Sequence, residues 1–104
     1  MRPGQSPRYP LRRIQELVAG GLYDITDTAR RDAEGMAFDE FDIVETIGAL
    51  TEADYGHTLH GEARPGMFQD VYRKRMHGFP LYVKLQIDGS GRAVIISFKR
   101  DESV

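Results

Sequence analysis

The sequence predicts an α+β fold, in which about three helices cover one face of a twisted antiparallel sheet of about four to six strands. Apolar residues recur at helical spacing in the first half of the chain. Residues 67–100 instead alternate apolar and polar side chains, as half-buried strands do. A turn-forming segment, Asp88-Gly89-Ser90-Gly91, separates two of these alternating runs, as in a hairpin. Helices followed by a run of strands are typical of α+β domains.

Three segments in the first half have the pattern of helices. The first follows Pro10, carries an apolar stripe and ends at two glycines. The second is expected to be capped by Asp27 or Thr28 and to stop before Gly35. The third follows Asp39, with acidic residues at the positive end of the helix dipole. The predicted spans are Leu11–Ala19, a second helix through Glu34, and Glu40–Leu50.

The third predicted helix is amphipathic. Its residues expected to face the core are Phe41, Val44 and Ile47 and, less regularly, Ile43 and Leu50. The following segment, Thr51-Glu52-Ala53-Asp54, resembles a capping box and predicts one further turn.

The predicted strands follow from alternation. In Leu81–Ile87 the apolar residues occupy every second position, and Tyr82, Lys84 and Gln86 point the other way. If the last strand buries Val94, Ile96 and Phe98, its other residues emerge on the open face. The predicted strands are Leu22–Ile25 at an edge, Asp54–His60, Met67–Arg75, Pro80–Ile87 and Arg92–Lys99, with a loop at Gly61–Gly66.

The domain organisation is simple. Residues 10–104 are expected to form a single domain, preceded by a flexible arm at residues 1–9 that contains two prolines and a glycine. No apolar run approaches the length of a membrane-spanning helix. Cysteine is absent, which excludes disulfides and thiolate metal sites and favours a cytoplasmic location.

The net charge of −2 conceals a strong asymmetry. Residues 15–62 contain 12 acidic and 2 basic residues, whereas residues 63–100 contain 8 basic and 2 acidic residues. A basic sheet beside an acidic helical half favours an anionic ligand for the sheet. The alternative is that the basic side chains are solvated edge residues that prevent aggregation, and charge alone does not decide between the two.

The polar residues of the predicted strands form one candidate surface. Even spacing places three of them on one face of their strand, and two more share a face of the next strand about 7 Å apart. The last strand adds a lysine. The set comprises Gln69, Arg73, Arg75, Tyr82, Lys84 and Lys99.

A metal site is not predicted. His57 and His60 are three residues apart, so on a strand they point to opposite faces. No cysteine and no third clustered ligand accompany them. The glycine-containing segment at 88–91 lacks the lysine of a phosphate-binding loop and is interpreted as a turn.

The candidate surface suits RNA. Arginine and lysine bind phosphates, tyrosine stacks on bases or transfers protons, and glutamine donates or accepts hydrogen bonds. In cleavage by the ribose 2′-OH, a protein need only move protons and stabilise negative charge. Two other interpretations stay open, namely a non-catalytic module that binds RNA or protein, and a structural domain with a solvated basic face.

The chain also resembles a known family, the MqsR family of toxin–antitoxin ribonucleases. The resemblance lies in MFQDVYRKR at Met67–Arg75, LYVKL at Leu81–Leu85 and ISFK at Ile96–Lys99, in this order and spacing. It extends to IQELVAGGLY at Ile14–Tyr23 and IGALTEADY at Ile47–Tyr55, and QDVYR is the most specific string.

This resemblance implies a RelE-like fold and a ribosome-independent mRNA interferase that cuts single-stranded mRNA, typically at GCU-like sites. It implies no cofactor. It also implies a cognate antitoxin as partner, which in this family is a zinc-containing, DNA-binding protein.

The resemblance also assigns site residues. The family's active-site glutamine, tyrosine and C-terminal lysine fall on Gln69, Tyr82 and Lys99. The family's other active-site lysine falls on His57, which is a departure, and the acidic overall balance is a second one. In this interpretation Tyr82 and His57 handle protons and Lys99 stabilises the charge on phosphorus. The residues expected to hold phosphates are Arg73, Arg75 and Lys84.

Overall fold

A computed structural model of the chain describes residues 6–60 and 67–103. The predicted loop at Gly61–Gly66 lies outside these residues. The helices are α1 (Leu11–Ala19), α2 (Asp27–Gly35) and α3 (Glu40–Ala49), followed by a 3₁₀ turn at Glu52–Asp54. The strands are β1 (Tyr23–Ile25), β2 (Tyr55–His60), β3 (Phe68–Met76), β4 (Phe79–Ile87) and β5 (Ala93–Arg100).

All five strands form one sheet, in the order β1-β5-β4-β3-β2. The pairs β2–β3, β3–β4 and β4–β5 are antiparallel. The edge strand β1 pairs with β5 in parallel. The predicted α+β class with three helices is confirmed, and the sheet differs from the expectation in being mixed. A parallel pair requires a long crossover, and the segment between β1 and β5 supplies it.

The helices bury one face of the sheet. Their apolar stripes pack on the inward side chains of the three central strands, and all of these side chains are nearly or fully inaccessible to solvent. The sheet residues in this core are Tyr72, Leu81, Val83, Leu85, Ala93, Ile95 and Phe98. The opposite face of the sheet, called here the open face, carries the alternate residues. No helix within the described ranges is long and apolar enough to cross a bilayer.

Helix α2 begins one or two residues earlier than predicted and ends at Gly35 rather than Glu34. Its N-cap is Thr26, whose Oγ1 accepts from the Ala29 N–H at 3.1 Å, so neither Asp27 nor Thr28 is the cap. The same hydroxyl donates to the Ile96 carbonyl at 2.8 Å. Thr26 thereby both caps the helix and fastens it to β5, a tertiary contact that local sequence pattern does not reveal.

Helix α3 has the predicted start, and its predicted inward residues Ile43, Ile47 and Leu50 are buried and Val44 partly buried, so that only Phe41 departs from the prediction. Asp39 and Asp42 form a reciprocal capping box, with both N–H···O distances at 2.9 Å. The buried residues are Ile43, Thr46 and Ile47. Phe41, predicted to face the core, is 73% exposed. It precedes Ile43 by two residues, which places it about 200° around the helix from that residue.

A β-bulge resets the alternation of β5. Lys84 pairs with Ser97 but Leu85 pairs with Ile95, so Ile96 is the additional residue. As a result Ile95 and Phe98 are buried, and the expectation that Val94 and Ile96 face the core is wrong. The bulge keeps Ser97 on the open face together with Lys99.

The N-terminal segment is attached to the sheet through a buried carboxylate. Asp70 accepts from the backbone N–H groups of Arg8 and Tyr9, both at 2.8 Å, and from the Thr58 hydroxyl at 2.7 Å. The Tyr9 hydroxyl donates to the Phe68 carbonyl at 3.0 Å. These contacts hold the described end of the predicted arm on β3.

Candidate functional site

Strand register places three predicted site residues in one row across the open face. Tyr82 of β4 lies directly between Arg73 of β3 and Lys99 of β5. Directly opposed residues on one face of a sheet have side chains in contact range. The row therefore brings two cations to one phenol.

The Tyr82 ring lies against both cations. The Arg73 Cζ is 5.5 Å from the centroid of the ring, and the Lys99 Nζ is 5.1 Å from it. These distances are within the range of cation–π attraction. The contacts restrict the orientation of the ring and hold two positive charges against it.

Lys84 extends this cluster. It lies two residues from Tyr82 on the same face, about 7 Å along the strand, and opposite Ser97 of β5. Burial lowers the pKa of the Lys84 ammonium below its ordinary value, and the charge of Lys99 lowers it further. A lysine with a lowered pKa releases its proton more readily, so Lys84 is suited to proton transfer as well as to phosphate binding.

Asp101, which the sequence analysis did not single out, is the carboxylate of this site. Its Oδ2 lies 3.2 Å from the Arg73 Nε, although the N–H is not aligned for a hydrogen bond. Its Oδ1 accepts from the Ser103 N–H at 3.0 Å and from the Ser103 hydroxyl at 2.6 Å. These bonds to Ser103, and then the Arg73 charge, hold the pKa of Asp101 below its ordinary value. The Asp-x-Ser turn pattern was the available signal.

A glycine on β2 makes room for the arginine. A Cβ at Gly56 would lie 3.2 Å from an Arg73 terminal nitrogen and 3.3 Å from the Val71 carbonyl. β2 bulges at this residue, between Tyr55 and His57. The absence of a side chain at Gly56 therefore gives the guanidinium its space.

Two adjoining grooves meet at this cluster, and both are lined by Arg73 and Asp101. The first has a volume of about 220 Å³ and is lined by Arg73, Tyr82, Lys99 and the C-terminal residues Arg100, Asp101, Glu102 and Ser103. The second, of about 260 Å³, is lined by Arg73, Lys74, Arg75, Pro80, Leu81 and Asp101. The two grooves therefore share the wall that Arg73 and Asp101 form.

The remaining predicted residues share the open face but lie farther away. His57 is opposite Val71, which in turn is opposite Lys84, so its Cα is about 10 Å from that of Lys84. Gln69 is opposite Leu59 of β2. It precedes Arg73 by four residues, or about 14 Å along β3.

Arg75 lies nearer to the cluster. It is opposite Pro80, exposed, and about 7 Å along β3 from Arg73. The structure thus gathers Arg73, Tyr82, Lys84 and Lys99 into one cluster, with Arg75 at its border.

Comparison with known proteins matches residues 6–100 to a family described as "Motility quorum-sensing regulator, toxin of MqsA". The chain belongs to this family. It is also 26% identical over 95 residues to the mRNA interferase toxin MqsR of Escherichia coli (strain K12), an alignment that covers 91% of this chain and 95% of that protein. The family predicted from the strand motifs is confirmed.

The match to the MqsR family stops at residue 100, one residue before Asp101. The open-face cluster of Arg73, Tyr82, Lys84 and Lys99 lies within the matched range. The C-terminal wall of the first groove from Asp101 onward lies beyond it. This wall is therefore a feature that the family match does not account for.

Other concave or polar places are separate from the cluster. One cavity, of about 390 Å³, lies at α2 and α3. Its arginine, Arg30, is paired with Glu40 at 3.0 Å, and its other charged residues are acidic, so it does not suit a polyanion.

One group of potential metal ligands exists within the described ranges. Asp42, Glu45 and His77 bring their ligand atoms within 4.8 Å of one another. Glu45 and His77 are already joined at 2.9 Å, and the Asp42 carboxylate caps α3. The contact between Glu45 and His77 and the capping bond of Asp42 account for the positions of these three side chains without a bound ion.

Proposed function

We propose that this chain is an endoribonuclease toxin that cleaves single-stranded mRNA without a metal ion or the ribosome and thereby inhibits translation. The observation that carries the proposal is the row Arg73–Tyr82–Lys99, which puts a phenol between two cations on the sheet face opposite the helices. Membership in the toxin family, and the relative named as an mRNA interferase, support the same conclusion.

The proposed reaction is attack by the ribose 2′-OH on the adjacent phosphorus. A bond forms between O2′ and phosphorus, the bond from phosphorus to O5′ breaks, and a 2′,3′-cyclic phosphate results. The 2′-OH gives its proton to a base, and O5′ receives a proton from an acid. The additional negative charge on the phosphoryl oxygens is stabilised by cations of the protein.

The cluster can supply these requirements. Lys99 and Arg73 stabilise the charge on the phosphoryl oxygens, and Tyr82 transfers a proton from its position between them. Lys84, with its lowered pKa, holds the phosphate or assists that transfer. Arg75 binds the next phosphate along the second groove. Gln69 positions the RNA at the far end of the face through its amide.

His57 is proposed as the second group that handles protons. The attacking and departing oxygens lie on opposite sides of phosphorus in an in-line displacement, so two proton-transferring groups in two places are required. His57 lies on the open face on the far side of Val71 from Lys84, which gives it such a separate place.

Single-turnover cleavage by a variant tests the role of His57. His57→Ala should lower the rate constant by about 10²-fold, because one of the two proton-transferring groups is lost. His60→Ala is the matched control, because His60 points to the other face of β2. An unchanged rate constant in His57→Ala would make His57 a bystander.

The proposed partner is a cognate antitoxin, as the family description "toxin of MqsA" suggests. We take it to be a zinc-containing, DNA-binding protein, and the preferred RNA sites to be GCU-like, on the strength of the family resemblance. Action on mRNA would place the protein in the cytoplasm. Residues 15–62, which include two of the three helices and most of the third, carry 12 acidic against 2 basic residues and therefore suit RNA less than the basic sheet does.

The experiment that tests the proposal uses purified protein and a single-stranded RNA in the presence of EDTA, without ribosomes. Cleavage is expected, with full activity retained as the chelator concentration rises. A strict need for a divalent ion or for translating ribosomes would contradict the proposed mechanism. RNA binding without cleavage under every condition would instead show a binding module.

A further inference from the structure

Asp101 is an unusual residue for a surface that binds polyanions. It is 4% exposed, lies on the open face beside Arg73, and lines both grooves. A buried carboxylate is costly unless it is bonded or paired, and Asp101 is both. Its contact with Arg73 links residues from β3 and from the segment that follows β5.

The backbone of Asp101 is also fixed. Its N–H donates to the Pro80 carbonyl at 2.8 Å, which continues the ladder between β4 and β5 by one residue. The two bonds from Ser103 to Oδ1 fold the chain into a turn immediately afterwards. With Oδ1 occupied in this way, Oδ2 is the oxygen that faces the arginine.

This arrangement uses only one edge of the guanidinium. The Nε of Arg73 faces Asp101, and one terminal nitrogen lies over Gly56. The terminal nitrogens carry four of the five N–H donors of an arginine, so most of its donors remain for a phosphate. The Cζ meanwhile stays 5.5 Å from the Tyr82 ring.

We propose that Asp101 is a positioning residue, which acts through Arg73 to hold the guanidinium beside Tyr82 for the scissile phosphate. The inference rests on the proposed function and adds to it a residue outside the family match. The C-terminal segment from Asp101 to Ser103 is accordingly part of the working site of this chain, and Asp101 acts on the reaction through the arginine.

Positioning and simple electrostatics predict opposite results for Asp101→Asn. If Asp101 only neutralised charge, its loss would tighten RNA binding and leave the cleavage rate constant unchanged. If it positions Arg73, the rate constant falls although the site has become more positive. We expect the rate constant to fall by about 10-fold, within the loss that misplacement of a catalytic-site group causes. The RNA affinity should equal or exceed that of the wild-type protein.

The experiment measures single-turnover cleavage, together with affinity for an RNA that carries a 2′-deoxy nucleotide at the cleaved bond. Asp101→Asn is compared in the wild-type and Arg73→Ala backgrounds, so that the dependence on Arg73 is measured directly. Asp101→Glu should recover part of the rate. The control is Asp32→Asn on α2, which removes one negative charge on the helical side of the sheet.

In the wild-type background the cleavage rate constant is expected to fall by about 10-fold, within the loss that a misplaced group causes. In the Arg73→Ala background it is expected not to fall further. Ser103→Ala, which retains the Asp101 charge but removes one of its bonds, should give a smaller fall and keeps the test valid if Asp101→Asn folds poorly. An equal fall in both backgrounds, or an unchanged rate in Asp101→Asn, would overturn the inference. Absence of cleavage by the wild-type protein would overturn the proposed function instead.

Discussion

Tyr82→Phe should lower the single-turnover cleavage rate constant by about 10²- to 10⁴-fold, the range for a lost proton-transfer group. The substitution keeps the ring, and with it the contacts to Arg73 and Lys99 at 5.5 and 5.1 Å. Only the hydroxyl is lost. RNA affinity should therefore stay near that of wild type while the rate falls, a separation that identifies a group acting in the transition state.

The matched control is Tyr23→Phe. Tyr23 lies on the edge strand β1, two strands away from β4, where its hydroxyl donates to Glu40 at 2.6 Å. Both variants lose one phenolic hydroxyl, so a general cost of this change would appear in each. A cleavage rate of Tyr82→Phe that equals that of Tyr23→Phe would remove Tyr82 from the chemistry.

Lys99→Ala should have the second large effect, a loss of about 10²- to 10³-fold in the rate constant, as for other removed donors to a developing oxyanion. Here affinity should fall as well, because the ammonium also contacts the phosphate before reaction. The variant has a further consequence for Lys84. The Lys99 charge is one of the two causes that lower the pKa of Lys84, so its removal should raise that pKa while the burial effect remains.

Both consequences of Lys99→Ala can be measured on the same protein, the rate by single-turnover cleavage and the Lys84 pKa by NMR titration of its side chain. Arg13→Ala on the exposed side of α1 serves as control for the loss of one positive charge. If the two variants lose the same amount of activity, Lys99 contributes only long-range charge. A Lys84 pKa that does not rise would show that the two ammonium groups do not interact.

The parts of the fold that were predictable depend on local periodicity. Leu11–Ala19 was predicted with its observed bounds, because a proline start, an apolar stripe and a glycine end all agree. Alternation in β3 and β4 correctly assigned the faces of Arg73, Tyr82 and Lys84, since a strand has a strict period of two. The common face of the candidate residues was therefore readable from the sequence.

The errors arose where a distant contact overrides the local pattern. The bulge at Ile96 shifts the alternation of β5 by one residue, and the Thr26 hydroxyl donates a hydrogen bond to the carbonyl of that residue. Phe41 is apolar but faces solvent, because the buried stripe of α3 follows Ile43 and Ile47. The bond of Thr26 to β5 and the exposure of Phe41 on α3 both depend on how the helices pack on the sheet, which the local sequence does not reveal.

The site shows the same division. The alternation of side chains within a strand predicts which face a residue lies on. It does not predict which residues of neighbouring strands lie opposite one another, because that depends on the register between the strands. The register of β2 includes the bulge between Tyr55 and His57, so the distance from His57 to the cluster could not be foreseen. Asp101 was missed because its importance depends on Arg73, which lies 28 positions earlier in the chain.

The identity of the nucleophile tests the central claim most directly. A short single-stranded RNA and the same oligonucleotide with one 2′-deoxy nucleotide at the cleaved bond are incubated with the protein in EDTA, and the products are analysed by mass spectrometry. The account predicts a 2′,3′-cyclic phosphate and a 5′-hydroxyl from the RNA and no cleavage at the 2′-deoxy position. Cleavage at that position, or products with a 3′-hydroxyl and a 5′-phosphate, would show that water rather than the 2′-hydroxyl attacks, and would contradict it.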